Sequence, residues 1–221
     1  YKIGKTLFNI GSCAHSDFCV FSLHPLKTIT SGEGGLITTN NQIFREKIKL
    51  LRSHGIIKSC HWKYDIKFPA LNYRLSDMNC ALAQSQLNRI KRFISIRKEI
   101  FNIYKIFFSD NGDIINLPRY DDLKYSAFHL FLIKVDFKKL TKNKDFFIKM
   151  MLKDKIMVQF HYIPLFRFKK IYNKKFIPKE FEGSLSYQAT HLSLPIYVGL
   201  DKKKIIYIVK KINSFIKKFK K

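Results

Sequence analysis

Lys27 is the residue around which chemistry could be built. It stands five residues after Ser22 and just before the glycine turn Gly32-Glu33-Gly34-Gly35, within the segment FSLHPLKTITSGEGG. Each part has a chemical use. A lysine taken out of water loses its preference for the ammonium form, and its neutral amine forms a Schiff base with an aldehyde. Glycines let backbone N–H groups approach an anion, and a serine hydroxyl donates to a phosphate oxygen. The combination suits an aldehyde that also carries a phosphate. Spacing alone does not separate this reading from an ordinary surface lysine beside an ordinary turn. His24, which precedes Pro25, is read as orienting the loop.

A reactive lysine needs rigid elements around it. Residues 17–22 (DFCVFS) read as a short buried strand and residues 36–39 as a second one. After Asn40-Asn41 the period becomes helical, with Ile43, Phe44, Ile48 and Leu51 on one face. Ser76 is an N-cap, with Asp77 in the first turn, for a long helix opening near Met78. Its apolar positions include Met78, Leu82, Ile90, Phe93, Ile94, Ile100, Phe101 and Tyr104. A helix of that length commonly bridges two domains, so the boundary is set near Arg89, giving residues 1–89 and 90–221. Beyond Asp113 the pattern predicts a small α/β domain of strand 127–135, helix 145–153, strand 157–162 and helix 205–219. Asp201 caps the last helix, which turns Ile205, Ile208, Val209, Ile212, Phe215 and Ile216 inward.

Composition bounds the function. With 221 residues, 46% hydrophobic and 15% aromatic, the chain can bury a core. No run approaches the roughly 18 apolar residues of a membrane-spanning helix, so no membrane role is expected. The opening YKIGKTLFNIGS lacks the features of a secretory signal, and the natural start is expected to be missing. Cys13, Cys19, Cys60 and Cys80 are irregularly spaced without a C-x-x-C pair, which predicts reduced thiols and a cytoplasmic protein. Cys60-His61 near His54 lacks the second spaced pair of a zinc site, so no metal is expected. A net charge of +26 invites a polyanion. The lysines, however, are spread along the chain among many Ile, Phe, Asn and Tyr residues, as A- and T-rich coding DNA produces. No recognisable nucleic-acid module accompanies them, and no nucleic-acid partner is expected.

The Lys27 segment is similar to the lysine motif of the DegT-type sugar aminotransferases, which read S-F-H-x-x-K-x-I-T-T-G-E-G-G. Leu23 replaces the phenylalanine and Ser31 a threonine. Arg52-Ser53-His54-Gly55-Ile56 matches the family's R-x-H-G-x, and Asn72-Tyr73-Arg74-Leu75-Ser76-Asp77 its N-Y-R-L-S-D/E. Farther on, His161-Tyr162-Ile163-Pro164 resembles its H-Y-x-P strand, and residues 192–200 (LSLPIYVGL) its closing S-L-P-x-Y-x-x-L element. The likeness covers essentially the whole chain.

The resemblance implies an aspartate-aminotransferase-like α/β fold, a pyridoxal-phosphate-dependent transferase of fold type I. This chain would hold the C-terminal part of its large domain and the small α/β domain. It implies that Lys27 binds pyridoxal 5'-phosphate and moves protons, that Ser22 binds the cofactor phosphate, and that Asn72 reaches that phosphate from the neighbouring subunit of a homodimer. Arg74 and His161 are implied to bind substrate; each could instead be structural. Tyr73 is read as a packing aromatic. The aspartate that faces the pyridine nitrogen is expected upstream of Tyr1. The implied reaction carries an amino group from glutamate to a nucleotide-linked keto sugar. Within the family the chain most resembles the UDP-4-keto-6-deoxy-N-acetylhexosamine aminotransferases, such as that of pseudaminic acid synthesis. A dTDP-sugar enzyme and a noncatalytic basic remnant binding polyanions stay open. The dehydratase branch, with histidine in place of the lysine, is disfavoured by Lys27.

Overall fold

The structure, a computed structural model, describes residues 1–109, 113–117, 123–168, 170 and 178–221. Its contacts gather into two compact units, Tyr1–Lys91 and Arg92–Lys221.

The first unit opens with the hairpin β1 (Lys2–Ile3) and β2 (Thr6–Leu7). β3 (Cys19–Ser22) pairs antiparallel with β4 (Gly35–Thr38), with Ser22 opposite Gly35. α1 (Gln42–Arg52) starts where Asn41 Oδ1 accepts the N–H groups of Ile43 and Phe44, at 2.9 and 3.1 Å. The hairpin β5 (Ile56–Lys58) and β6 (Tyr64–Ile66) follows, then α2 (Asp77–Asn88), capped as expected by Ser76, whose Oγ accepts from Asn79 N at 3.3 Å.

Burial in this unit differs from expectation. Among the described residues Leu23 is its one buried hydrophobic side chain. The strand expected to be buried has Val20 63% exposed, because its sheet has two strands and no second layer over that side chain. Ile43 of α1 and Met78 of α2 are 77% and 81% exposed. Two-stranded sheets and amphipathic helices need another layer to bury such faces, and the unit does not supply it.

The single long helix expected from residue 78 onward is two helices. Arg89 departs from helical backbone at φ −103°, ψ 3° and ends α2, and α3 (Ile90–Ser109) begins immediately after it. No glycine or proline marks this joint.

The second unit carries a conventional core. β7 (Ile115–Asn116), β8 (Phe131–Val135) and β9 (His191–Leu194) form an antiparallel sheet in that order, with Phe131 opposite Leu194. α4 (Lys144–Lys153), α5 (Glu182–Thr190) and α6 (Lys202–Phe219) complete it. Tyr104 and Phe101 of α3, Phe131 and Ile133 of β8, Leu192 of β9, Phe147 of α4 and Ile212 of α6 are buried in one hydrophobic cluster. Asp201 caps α6 through Lys204 N at 2.8 Å, and Ile205, Ile208, Val209, Ile212 and Phe215 point inward, as the helical period predicts.

Two strand expectations are corrected here. β8 begins at Phe131 rather than at residue 127, because Phe128 sits at φ +49° and leaves the ladder. The carbonyls of Phe128 and His129 instead accept from Arg97 Nη1 at 3.4 and 3.3 Å. Residues 157–162 form no named strand: only Gln159 bridges to Ser193. Pro164, which has no N–H, leads instead into a short 3-10 turn at Leu165–Arg167. The sheet position is taken by β9, inside the segment read from sequence only as a closing element.

Candidate active site

The loop that carries Lys27 is braced from within. Its ends are tied where Leu23 N donates to Gly34 O at 2.9 Å and Ser31 N donates to Leu23 O at 3.0 Å. Thr30 Oγ1 donates to Leu23 O and accepts from Gly32 N, both at 2.9 Å. Ser31, buried, donates to Glu33 O at 2.8 Å. Leu23, the buried apolar anchor, thus sits at the focus of a polar cage. Gly34 is required there: at φ +155° a Cβ would lie 2.5 Å from Ser31 Oγ and 2.9 Å from Leu75 Cδ1. Asn79 of α2 reaches the same turn, donating to Glu33 O at 3.4 Å.

Ser22 and Lys27 are joined through His24. His24 N donates to Ser22 Oγ at 3.4 Å, and Lys27 N donates to His24 O at 2.9 Å. The ring orients the loop as expected, with Nδ1 accepting from Leu26 N at 3.2 Å and Nε2 lying 3.8 Å from Glu33 Oε1. This exposed pair contributes little to stability. Lys27 itself is exposed, so the burial that would favour its neutral amine is not met by the residues described here.

The donors nonetheless fit a phosphate-bearing aldehyde. Among the described residues Lys27 Nζ has no hydrogen-bond or ion-pair partner, and the Ser22 hydroxyl only accepts, leaving its proton for an incoming oxygen. Asn72 is exposed and bridges to Ser53 just after α1; its Oδ1 accepts from Arg74 N at 3.2 Å, while its amide Nδ2 is uncommitted among the described residues. No hydrogen bond links Asn72 to Ser22 or Lys27 among the described residues. The Arg74 side chain is exposed and makes no ion pair among them, which leaves the structural salt bridge without support. His161 lies in the second unit, half-buried, with Nδ1 3.2 Å from Ser193 Oγ. Of the bracing residues, the sequence marks Leu23 and Ser31 only as substitutions within the motif, and does not mark Thr30 or Asn79. Their signal was faint, a hydroxyl pair before a glycine turn.

Other expectations concern groups that could hold a metal or a membrane. No cluster of three or more His, Cys, Asp or Glu side chains gathers among the described residues, and His61 packs its ring on Trp62 at 4.4 Å. No described helix is long and apolar enough to cross a membrane.

The sequence profile of the DegT/DnrJ/EryC1/StrS aminotransferase family matches residues 3–213. The UDP-4-amino-4,6-dideoxy-N-acetyl-beta-L-altrosamine transaminase of Campylobacter jejuni is 34% identical over 93% of this chain and 54% of its own length. An aminotransferase of Helicobacter pylori involved in the biosynthesis of pseudoaminic acid superposes with a TM-score of 0.83 at 28% identity, over 92% of this chain and 54% of its own. A putative sugar aminotransferase of Streptococcus pneumoniae in its PLP form gives 0.82 at 25% identity, over 94% and 53%. The chain therefore spans about half the length of the relatives it matches. Motifs, fold and profile agree: the chain belongs to the DegT/DnrJ/EryC1/StrS aminotransferase family.

Proposed function

We propose that this chain is the lysine-bearing part of a pyridoxal-phosphate-dependent aminotransferase. It would move an amino group from glutamate to the keto carbon of a nucleotide-linked 4-keto-6-deoxy sugar of the UDP-N-acetylhexosamine type. The observation that carries the reading is the braced loop that sets the Lys27 amine five residues from the Ser22 hydroxyl proton, both without a partner among the described residues. Bound pyridoxal phosphate would supply the electron sink for transfer of the amino group. Lys27 Nζ would hold its aldehyde and would move a proton between the cofactor and the carbon that loses or gains the amino group. Ser22 Oγ would donate to its phosphate, and the cage around Leu23 keeps both groups in register. Arg74 and His161 are assigned to the nucleotide sugar.

Residues 1–89 would belong to the large domain and 90–221 to the small one. Asn72 would complete the phosphate site of a second subunit with its amide, which is uncommitted among the described residues. The exposed apolar side chains of the first unit support such an association, since a partner's surface would take them out of water. Four free cysteines support a reducing cytoplasm. The UDP-sugar substrate rests on likeness to the Campylobacter and Helicobacter relatives.

The test is transfer of label from 15N-glutamate to a UDP-4-keto-6-deoxy-N-acetylhexosamine. Label in the sugar amine, absent with Lys27→Ala, is expected. Protein with cofactor on Lys27 that transfers nothing would sink the substrate assignment. Salt-sensitive DNA binding without cofactor uptake would replace the whole reading with a polyanion-binding remnant.

A further inference from the structure

We infer that residues 138–142 and 217–221 together form a surface that adsorbs reversibly to an anionic lipid bilayer. The proposal does not rest on the aminotransferase reading.

The two segments, KKLTK and KKFKK, are distant in sequence, and seven of their ten residues are lysine. The whole chain has 42 Lys and Arg in 221 residues, about one in five. A compositional excess of lysine does not bring two dense runs together; the fold does. Leu140 and Lys220 form an antiparallel bridge. Thr141 N donates to Phe219 O at 2.8 Å, and Lys221 N donates to Lys139 O at 3.0 Å. Thr141 Oγ1 adds a third bond to Phe219 O at 3.2 Å. Leu140 is buried and Phe219 packs against the core, so the pair is anchored from below. Lys138, Lys139, Lys142, Lys217, Lys218, Lys220 and Lys221 are all left exposed.

Little negative charge offsets them. Of the seven, Lys220 alone forms an ion pair among the described residues, at 3.9 Å from Asp113 Oδ2. Asp136, at the start of the first segment, spends its Oδ1 on Lys138 N at 3.1 Å. The charge also runs on along α6. Lys203, Lys210 and Lys217 recur every seventh residue on its exposed side, a row of about 21 Å at 1.5 Å per residue. Clusters of about four to eight lysines suit the negative surface of a bilayer, where each adds attraction. Shape favours lipid over single-stranded nucleic acid, which needs aromatic rings free to stack on bases. Phe219, the sole aromatic of the two segments, is half-buried and carries Lys142 and Lys218 over its ring, at 6.0 and 5.4 Å. The apolar side of α6 is spent on the core, which leaves it nothing to insert between acyl chains. Adsorption is therefore electrostatic and needs no spanning helix.

The experiment is co-sedimentation of the protein with phosphatidylcholine vesicles, with and without phosphatidylserine. Binding is expected only to the anionic vesicles and should vanish at high salt, which screens exposed charges. Each lysine near such a surface is worth a factor of roughly five in partitioning. Replacing Lys217, Lys218, Lys220 and Lys221 by Gln should therefore weaken binding at least about 100-fold. These side chains are exposed, and the main-chain bonds between the segments stay in place; an unchanged circular dichroism melt checks the fold. Replacing Lys47, Lys58, Lys63 and Lys67, exposed lysines of the first unit, removes the same charge and should leave most of the binding. Equal losses in the two variants would show that dispersed charge is responsible and overturn the proposal. So would equal binding to both kinds of vesicle, or none to either. A DNA duplex bound more tightly than the anionic vesicles at the same salt would assign the surface to nucleic acid instead. None of these readouts needs transamination, so a failed activity assay leaves the proposal standing.

Discussion

Phe131→Ala removes the side chain at the centre of the second unit's core. The ring is fully buried on β8, with centroids 4.9 Å from Phe101 and 4.8 Å from Tyr104. Truncating a buried phenylalanine costs about 3–5 kcal/mol through lost transfer energy and the cavity left behind. That cost already includes the lost aromatic pairs, and the surrounding rings are held by their own helix, so little collapse offsets the cavity and the upper part of the range applies. We therefore expect a loss of about 4–5 kcal/mol, a large share of the roughly 5–15 kcal/mol that stabilises a typical domain. Leu132→Ala, one residue along on the half-buried face, should cost roughly 1 kcal/mol. The assay is urea unfolding followed by far-UV circular dichroism, because the single tryptophan, Trp62, lies in the first unit. A midpoint change at constant slope gives the difference. A cost below about 1 kcal/mol for Phe131→Ala, or a larger one for Leu132→Ala, would refute the placement of this core.

Further outcomes follow from other parts of the chain. Gly34→Ala forces a side chain into a left-handed backbone, at about 1–2 kcal/mol, and into Ser31 Oγ and Leu75, at about 1–3 kcal/mol. It should loosen the Lys27 loop, read as faster proteolysis between Leu23 and Gly34, and Ser31→Gly in the same chain should relieve part of the effect; simple additivity would count against the contact. His191 is held below its ordinary pKa of 6.5, first by burial and then by the charges of Lys134 and Lys144. Its neutral form is favoured by folding, so stability is complete above pH 6.5 and is lost as pH falls below that value. The melting temperature should drop more steeply on acidification in the parent protein than in His191→Gln; parallel curves would exclude this residue as a cause.

The sequence was most readable where polarity and spacing are local. The Lys27 segment, the Ser76 and Asp201 caps and the inward face of α6 all follow from residue types a few positions apart. What escaped depends on distant partners. β9 is four residues, HLSL, too short to show a period, and it is a strand because β8 lies beside it. Residues 157–162 alternate like a strand, yet only Gln159 finds a pairing partner. Arg97 looks like one more of 42 basic side chains, while its burial follows from the carbonyls that Phe128, His129 and Ile196 turn towards it. Met78 and Ile43 fit amphipathic patterns but are exposed, because a hydrophobic stripe states a need for cover without naming what supplies it. At the candidate site the same division holds. Lys27 and Ser22 could be named from spacing and resemblance, whereas the cage that holds them required Gly34, Thr30 and Ser31 to be seen folded around Leu23.

The central claim is that Lys27 takes the cofactor. Its most direct test is borohydride reduction of the protein after incubation with pyridoxal phosphate, followed by mass spectrometry of the peptides. The account predicts one predominant phosphopyridoxyl label, on the peptide containing Lys27, lost in Lys27→Ala and weakened in Ser22→Ala. Label scattered over the surface lysines of a folded protein, unchanged by Lys27→Ala, would contradict it.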